Sequence, residues 1–533
     1  MRLKSKVLLI GLDGLTWDVL DPLLREGILP NIKKIIAEGV SGELESIIPP
    51  VTGPSWLAMA TGLNPGKTGV FDFIKLDRKT FTLSPITSDD YRGKAFWDIA
   101  NKQNRSAFIL NFPMLYPPYE IDGVMVGGLG SSDVSTISYP QDYLKGIVPK
   151  LEDYQIKVPY NLSRYTNNQE LFFQDIEKLL MQYKNILSKA FSDGRFDLLT
   201  FIFSATDFVL HYTWRYWDKT YFAYKQDHRI ENMIKRFWRQ IDGLIGWIYD
   251  YASSNSSDLL LVSDHGFGKQ DEIFRINSWL VERGFLRVKT EKVVREKVER
   301  KIGTILKKID MILGGDFYTK AKNKTGRKKS DLFKQFDLEK SRAIAAMFSD
   351  LVAGIYIIDE SQKEAVRDEI VREIEEEGTR SKIKIKAFSP DEVYSGQYLE
   401  AAPDILLYID DFRCSMDSIS LSKRYFEAQK RSHLNKSGTH RLNGLFIASG
   451  PKIRKNSAID NAKILDICPT VLYLMGLEIP DNVDGRVLKG IFRGEFLDKN
   501  DVRYLKVEAV EKQVIPETDV EQMIDTLESL GYM

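Results

Sequence analysis

The chain has 533 residues, more than a single hydrophobic core usually spans, which predicts one large domain with a substantial insertion, or two domains. Hydrophobic residues make up 43% and charged residues 28%, and 75 basic residues balance 75 acidic ones, so no global field directs the chain to nucleic acid. The cysteines, Cys414 and Cys468, form no disulfide framework and no apolar run approaches a membrane span, so a cytoplasmic location is expected.

Short apolar runs recur along the chain, with helical stretches between them. In chain order they are KVLLIGLD (6–13), SAFILNF (106–112), FDLLTFIFS (196–204), SDLLLVSDHG (257–266), VAGIYIID (352–359), APDILLYID (402–410) and NGLFIASG (443–450). Continuous runs of Val, Ile, Leu and Phe indicate strands that are buried on both faces. Their alternation with helices predicts an α/β fold, a three-layer αβα sandwich around a mainly parallel sheet.

The stretch IIPPVTGPSWLAMATG (47–62) places Thr52 in front of a predicted helix. Pro54 fits the first helical position, where its missing N–H costs nothing. A helix N-terminus offers unpaired N–H groups and the positive end of the macrodipole. Thr52 therefore has two interpretations: a residue that caps the helix, or a hydroxyl that becomes an alkoxide.

Two regions differ from the strand–helix alternation. Residues 75–190 are rich in Tyr, Asn and Pro, and residues 287–340 are basic and helical. We expect both to be cap regions inserted into one domain that spans residues 1–533. The basic region has one apolar helical face and three interpretations: a helix packed on the core, a cap whose cations attract anionic substrates, or a helix on an anionic membrane surface. The membrane is the least favoured, because acidic residues interrupt the positive face.

Three of the predicted strands end in side chains that can bind metals. Asp13 ends the first strand, Asp207 follows another, and a third ends in Asp264 and His265. In sheets of this kind, ligands bind beyond the carboxyl ends of the strands. His211 follows Asp207 by four residues, so the two share a helix face and suit one metal. His440 stands in a loop that enters another buried strand.

Each of these pieces alone also has a structural interpretation. The LDG sequence is a common turn. The stretch TDFVLHYTWRYW is also typical of an aromatic core helix, in which His211 would only form hydrogen bonds within the core. Together, three Asp and three His at strand ends form a set of hard and borderline ligands that suits zinc. Two divalent cations would bring four positive charges against three carboxylates, and a net positive site attracts a phosphate ester.

The ordered set Asp13, Thr52, Asp207-x-x-x-His211, Asp264-His265 and His440 resembles the alkaline phosphatase superfamily, and within it the type I phosphodiesterase/nucleotide pyrophosphatase group. Further motifs support this, among them TGLNPGKTGVFDF, SDHGFG and GTHRLNGLFIASGPKI. The resemblance covers most of the chain apart from the two predicted caps. It implies one metal site held by Asp207, His211 and His440. It implies a second held by Asp13, Asp264 and His265 together with the oxygen of Thr52, which would be the nucleophile.

The resemblance further implies a two-metal phosphohydrolase that cleaves phosphodiesters or pyrophosphates through a phospho-threonine intermediate. Zinc is the expected metal, with manganese as the alternative, and Gly53 and Ser55 are expected to bind the substrate phosphate. Gly53 stands where the group has a bulky apolar residue, so nucleotide specificity is not part of the expectation. Lys67 is a candidate cation for a third phosphate oxygen, with a surface position as its alternative.

The expected partner is a small-molecule phosphate ester, not a specific nucleic acid sequence, and a membrane surface is less favoured. Three other functions stay open: a phosphomonoesterase, a phosphomutase of the same superfamily, and a non-catalytic binding protein on the same scaffold. The complete set of ligand residues and the retained Thr52 oppose the last.

Overall fold

The central sheet of the protein is built around the first strand, Val7–Leu12, whose six residues are all buried. This strand pairs in parallel with Leu198–Phe203 on one side and Asp258–Val262 on the other. The structure is a computed structural model, and it describes residues 6–78, 80–148, 150–158, 165, 168–289, 333, 335–346, 349, 351–428 and 436–507.

The sheet has ten strands, and its middle is parallel. In spatial order the strands are Ser457–Ala458, Gly39–Glu45, Asn443–Ser449, Asp258–Val262, Val7–Leu12, Leu198–Phe203, Ala107–Phe112, Gly123–Gly127 and Ser138–Tyr139, with Ala462–Lys463 also paired to Gly39–Glu45. Asn443–Ser449 runs antiparallel to both of its neighbours. The predicted α/β fold with a mainly parallel sheet is therefore confirmed, and the parallel strands end at one edge.

The helices form two groups, and within each group the helices pack on one another. The first group contains Pro30–Ala37, Gln169–Asp193, Ala205–Trp217 and His228–Ser254. The second contains Thr52–Thr61, Phe96–Lys102 and Ile467–Leu474. Shorter or peripheral helices are Trp17–Arg25, Pro65–Thr68, Ile276–Glu282, Pro390–Val393 and Gly494–Leu497. The central sheet and the two helix groups share one large hydrophobic core, as expected for a layered α/β sandwich.

A second sheet has its own hydrophobic core. Its four antiparallel strands are, in spatial order, Ala343–Ala346, Ala353–Ile357, Ile405–Ile409 and Ile385–Phe388, and the helix Lys363–Ser381 packs on it. Smaller pairings join Cys414–Met416, Glu272–Phe274 and Phe426–Ala428, Ile74–Leu76 with Leu83–Pro85, and Ile479–Pro480 with Tyr504–Leu505.

Two apolar runs that predicted strands of the parallel sheet, 352–359 and 402–410, lie in this second sheet instead. Ile405, Leu407 and Ile409 face one buried cluster, whereas Leu406 and Tyr408 face another. The strand is thus buried on both faces, as its sequence indicates, but its neighbours are antiparallel. A continuous apolar run reports burial and not strand direction.

Residues 75–190 do not form the expected cap. They supply the strands Ala107–Phe112 and Gly123–Gly127 to the central sheet and the helix Gln169–Asp193 to the sandwich. Residues 290–332 and 334 lie outside the described residues, and with them most of the basic region predicted at 287–340. Across the described helices, none combines the length and the apolar character needed to cross a membrane.

The helix Thr52–Thr61 is held against the first strand by an aromatic side chain. Trp56 is fully buried, and a Cβ atom on Gly11 would overlap the rings of Trp56 and the side chain of Ile202. The absence of a side chain at position 11 therefore sets how closely this helix approaches the sheet.

We expect Gly11→Ala to destabilise the fold by ~1–3 kcal/mol, because the added methyl group overpacks the core. The matched control is Gly243→Ala in the helix His228–Ser254, where an added Cβ meets no atom within 4 Å. This control should gain roughly 0.5–1 kcal/mol, since alanine favours a helix over glycine. Urea denaturation of both variants measures the difference, and equal stability of the two would contradict the packing argument.

Candidate metal centre

Three neighbouring strands of the central sheet deliver their carboxyl ends to one place. Asp13 follows Val7–Leu12, Asp264 and His265 follow Asp258–Val262, and Asp207 lies in the first turn of the helix after Leu198–Phe203. His440 comes from a separate two-stranded sheet, in which Gly438–Arg441 pairs antiparallel with Gly266–Lys269. Because of this pairing, His440 lies at the same edge of the central sheet as Asp13, Asp207 and Asp264.

The first group consists of Asp207, His211 and His440, all of them buried. The Nε2 atoms of both histidines lie 3.3 Å from Oδ1 of Asp207. The two Nε2 atoms are 3.0 Å apart. Three ligand atoms from two distant parts of the chain thus converge on one point.

The second group consists of Asp13, Asp264 and His265, also buried. The Nε2 atom of His265 lies 3.2 Å from Oδ2 of Asp264 and 3.5 Å from Oδ1 of Asp13. The Thr52 hydroxyl lies 3.3 Å from the same Nε2 atom. These are the two groups that the family resemblance implies, and their role as metal ligands stays a prediction.

Each of the three imidazoles is oriented by a hydrogen bond at Nδ1, the nitrogen that does not face the carboxylates. The Nδ1 atoms of His211, His265 and His440 donate to the carbonyl oxygens of Gly438, Gly266 and Pro50, at 2.8, 3.0 and 3.0 Å. A carbonyl oxygen can only accept, so Nδ1 carries the proton and Nε2 presents a lone pair. Metal-binding histidines are fixed in this way, by a hydrogen bond on the nitrogen that does not coordinate.

Four carboxylate oxygens of the centre have no hydrogen-bond donor in the described chain. Within the described parts of the chain, no hydrogen-bond partner reaches Oδ1 or Oδ2 of Asp13, Oδ1 of Asp207, or Oδ2 of Asp264. These oxygens face the lone pairs of the imidazole Nε2 atoms, so hydrogen-bond acceptors lie next to one another with no donor between them. A buried arrangement of this kind is costly unless a cation lies between the atoms. The donor set fits two divalent metal ions, and its mixture of nitrogen and oxygen ligands suits zinc or manganese.

Burial shifts the ionisation of these side chains. It lowers the pKa of His211 to about 4 and holds the pKa of His265 well below its usual value, so both imidazoles are neutral at neutral pH. Burial, reinforced by the charges of Asp264 and Asp207, raises the pKa of Asp13 well above its ordinary range. Nearby positive charge would reverse this effect on the carboxylate.

Thr52 begins its helix instead of standing in front of it. The helix runs Thr52–Thr61, and its first internal hydrogen bond joins the N–H of Ser55 to the carbonyl of Val51 at 3.0 Å. Pro54 is therefore the third helical residue and not the first, and it is tolerated because the N–H groups of the first turn have no partner within the helix. The Thr52 hydroxyl contacts His265, which favours the site interpretation over the helix cap.

The two predicted phosphate-binding residues differ in their contacts. The Ser55 hydroxyl lies 3.0 Å from the hydroxyl of Ser46, and its N–H is used within the helix. The Ser55 side chain thus contacts Ser46, and its binding of the substrate phosphate stays a prediction. Gly53 remains the predicted donor. A Cβ at Gly53 would lie 3.0 Å from Sδ of Met114 and 3.1 Å from the ring of Phe73.

Other predicted residues lie elsewhere. Lys67 pairs with Asp484 at 2.6 Å and donates to the carbonyl of Asn482, so its amine is engaged away from the centre. His228 has an exposed side chain beside Glu231, and His433 lies outside the described residues.

Sequence reasoning missed a buried aromatic side chain behind the histidines. The Phe267 ring is centred 4.7 Å from that of His211, 5.6 Å from His440 and 6.5 Å from His265. Its place two residues after His265 in the SDHGFG motif was the available signal. The ring gives the three imidazoles a common apolar support.

Three comparisons place the chain among known proteins. The profile of the type I phosphodiesterase / nucleotide pyrophosphatase family matches residues 7–432. Phosphonoacetate hydrolase from Sinorhizobium meliloti 1021, solved with phosphonoformate, is similar in fold at 13% identity, with a TM-score of 0.50 and coverage of 89% of this chain and 95% of that chain. An inactive variant of murine ectonucleotide pyrophosphatase / phosphodiesterase 5, solved with AMP, has 12% identity, a TM-score of 0.49 and coverage of 90% and 98%. A search of curated protein sequences returns no match.

We expect His440→Ala to lose one metal equivalent, because His440 supplies one of three ligand atoms to the first group. His228→Ala is the matched control, since the His228 side chain is 78% exposed and pairs with Glu231. Elemental analysis of both variants after dialysis measures the metal content. Two equivalents in His440→Ala, or a loss in His228→Ala, would contradict the assignment.

Proposed function

The chain belongs to the type I phosphodiesterase / nucleotide pyrophosphatase family, and from that premise we propose that it is a two-metal phosphodiesterase with Thr52 as its nucleophile. Family membership makes the protein a hydrolase of phosphate esters. The observation that carries the finer proposal is the buried Thr52 hydroxyl, 3.3 Å from Nε2 of His265, which in turn faces carboxylate oxygens that lack donors in the described chain.

The two groups of ligands would each hold one divalent cation. Asp207, His211 and His440 would hold the first, and Asp13, Asp264 and His265 the second. When bound, such ions lower the pKa of oxygen nucleophiles and stabilise the negative charge on transferring phosphoryl oxygens. The position of Thr52 against the second group is what makes this chemistry available to its hydroxyl.

Thr52 would act in two in-line displacements. Its Oγ1 atom loses its proton and attacks phosphorus, the bond to the leaving alcohol breaks, and the alcohol leaves with a proton. Water then attacks phosphorus, the bond to Oγ1 breaks, and Thr52 regains its proton. The first turn of the helix Thr52–Thr61 favours an incoming anion, and the N–H of Gly53 would donate to a non-bridging oxygen.

The charge of the site supports a diester as the substrate. Two divalent cations against three carboxylates leave one net positive charge, which matches the single negative charge of a phosphodiester. A monoester dianion would need a further cation, and Lys67 is held by Asp484 instead. The side chains of Met114 and Phe73 occupy the space beside Gly53. The proposal therefore does not extend to a specific nucleotide base in the substrate.

We expect Thr52→Ala to reduce turnover at least about a thousandfold, as loss of a nucleophile does, while both metal equivalents remain bound. Six other ligand side chains stay in place, so the metal content separates loss of chemistry from loss of the site. Ser55→Ala is the matched control from the same helix turn, and it should keep most of the activity. Near-normal turnover of Thr52→Ala with an inactive Ser55→Ala would place the nucleophile elsewhere.

We expect a nitrophenyl phosphodiester to be cleaved with a higher kcat/KM than nitrophenyl phosphate, for the charge reason given above. The comparison uses one metal-loaded preparation and the same leaving group. A preference for the monoester of more than about tenfold, ~1.4 kcal/mol of transition-state binding, would reject the diesterase in favour of the phosphomonoesterase.

A further inference from the structure

The hydroxyl of Thr206 connects the two candidate metal groups, although it is not a ligand in either. Thr206 is fully buried and directly precedes Asp207 of the first group. Its Oγ1 atom lies 2.6 Å from the carbonyl oxygen of Asp13, which belongs to the second group, and 2.8 Å from the carbonyl of Phe203. Both carbonyl oxygens are acceptors, so the Thr206 hydroxyl donates its one proton to the carbonyl of Asp13 or shares it between Asp13 and Phe203.

The turn at Asp13 is held from both sides. The N–H of Asp13 donates to the carbonyl of Phe203 at 3.3 Å, and the N–H of Gly14 donates to Oδ1 of Asp264 at 3.2 Å. One side of the turn is thus attached to the strand and helix that carry Asp207, and the other side to a ligand of the second group. Thr206 supplies the side-chain bond on the first side.

The same turn lies between the two groups. A Cβ on Gly14 would stand 3.4 Å from Oδ1 of Asp207 and 3.4 Å from Cε1 of His265, one atom of each group. Gly14 also has φ of +71°, a conformation that favours glycine. A shift of the turn would therefore move Asp13 relative to both groups at once.

We propose that Thr206 is a positioning residue that fixes the Asp13 turn against the helix of Asp207 and so sets the spacing of the two metal sites. This inference rests on the two-metal function proposed above. The spacing matters for an in-line displacement, because the attacking and the leaving oxygen must each face positive charge.

The test is the affinity for zinc of the metal-free protein. Zn²⁺ is titrated into the full chain with a chelating buffer that sets the free concentration, and the two equivalents are resolved. Thr206→Val keeps the shape and removes the hydroxyl, Thr206→Ser keeps the hydroxyl, and Thr206→Ala replaces the valine variant if that variant does not fold. Thr200→Val is the matched control: Thr200 is fully buried on the adjoining strand, and its hydroxyl has no partner among the described residues.

We expect Thr206→Val to bind the second zinc equivalent about 10- to 100-fold more weakly, the range found when a partner that orients a ligand is removed. Thr206→Ser and Thr200→Val should bind both equivalents as the wild type does. Thermal unfolding of the metal-free proteins controls for a general loss of stability. A hydroxyl with only a structural role would lower the melting temperature and leave the zinc affinities unchanged, and that result overturns the inference.

The two proposals can fail separately. A wild type that binds no second zinc equivalent refutes the two-metal function, and the positioning role with it. A wild type that binds two equivalents, together with a folded Thr206→Val that binds them equally well, leaves the function standing and refutes the role of Thr206.

Discussion

Three buried carboxylates, close enough to repel one another, are the constraint on which the rest of this structure depends. Asp13, Asp207 and Asp264 are each at most 2% exposed, and several of their oxygens have no donor in the described chain. Repulsion and desolvation both oppose such a cluster, so the surrounding fold must hold it in place. The rigid parallel strands beneath it do this, because their side chains are packed in one continuous core.

The order of strands explains why the cluster forms where it does. The strands Asp258–Val262, Val7–Leu12 and Leu198–Phe203 are adjacent and parallel, so their carboxyl ends meet at one edge. A sequence reader can infer this much, because buried runs that end in Asp are visible in the chain. The placement of His440 is different: it depends on the pairing of Gly438–Arg441 with Gly266–Lys269, about 170 residues apart, and no local pattern encodes that contact.

Other differences between prediction and structure have equally specific causes. The run 402–410 is buried on both faces by two separate clusters, so its apolar character says nothing about parallel or antiparallel neighbours. Residues 75–190 looked like a cap because polar and aromatic residues surround their short strands, yet Ala107–Phe112 pairs directly with Leu198–Phe203. The resemblance predicts that Ser55 binds the substrate phosphate, and the contact of its hydroxyl with Ser46 could not be read from the sequence, because the two residues meet only in the folded chain.

The segment from Gly11 to Gly14 shows how closely the position of Thr52 and the two candidate metal groups depend on each other. Gly11 admits the ring of Trp56, which sets the depth of the helix that begins with Thr52. Gly14 admits the turn between Asp207 and His265. Asp13 lies between these two glycines. Gly11 thus affects the position of the Thr52 hydroxyl, and Gly14 affects how Asp13 lies relative to Asp207 and His265. The LDG sequence (12–14), which alone is typical of a common turn, therefore fixes the geometry of the whole centre.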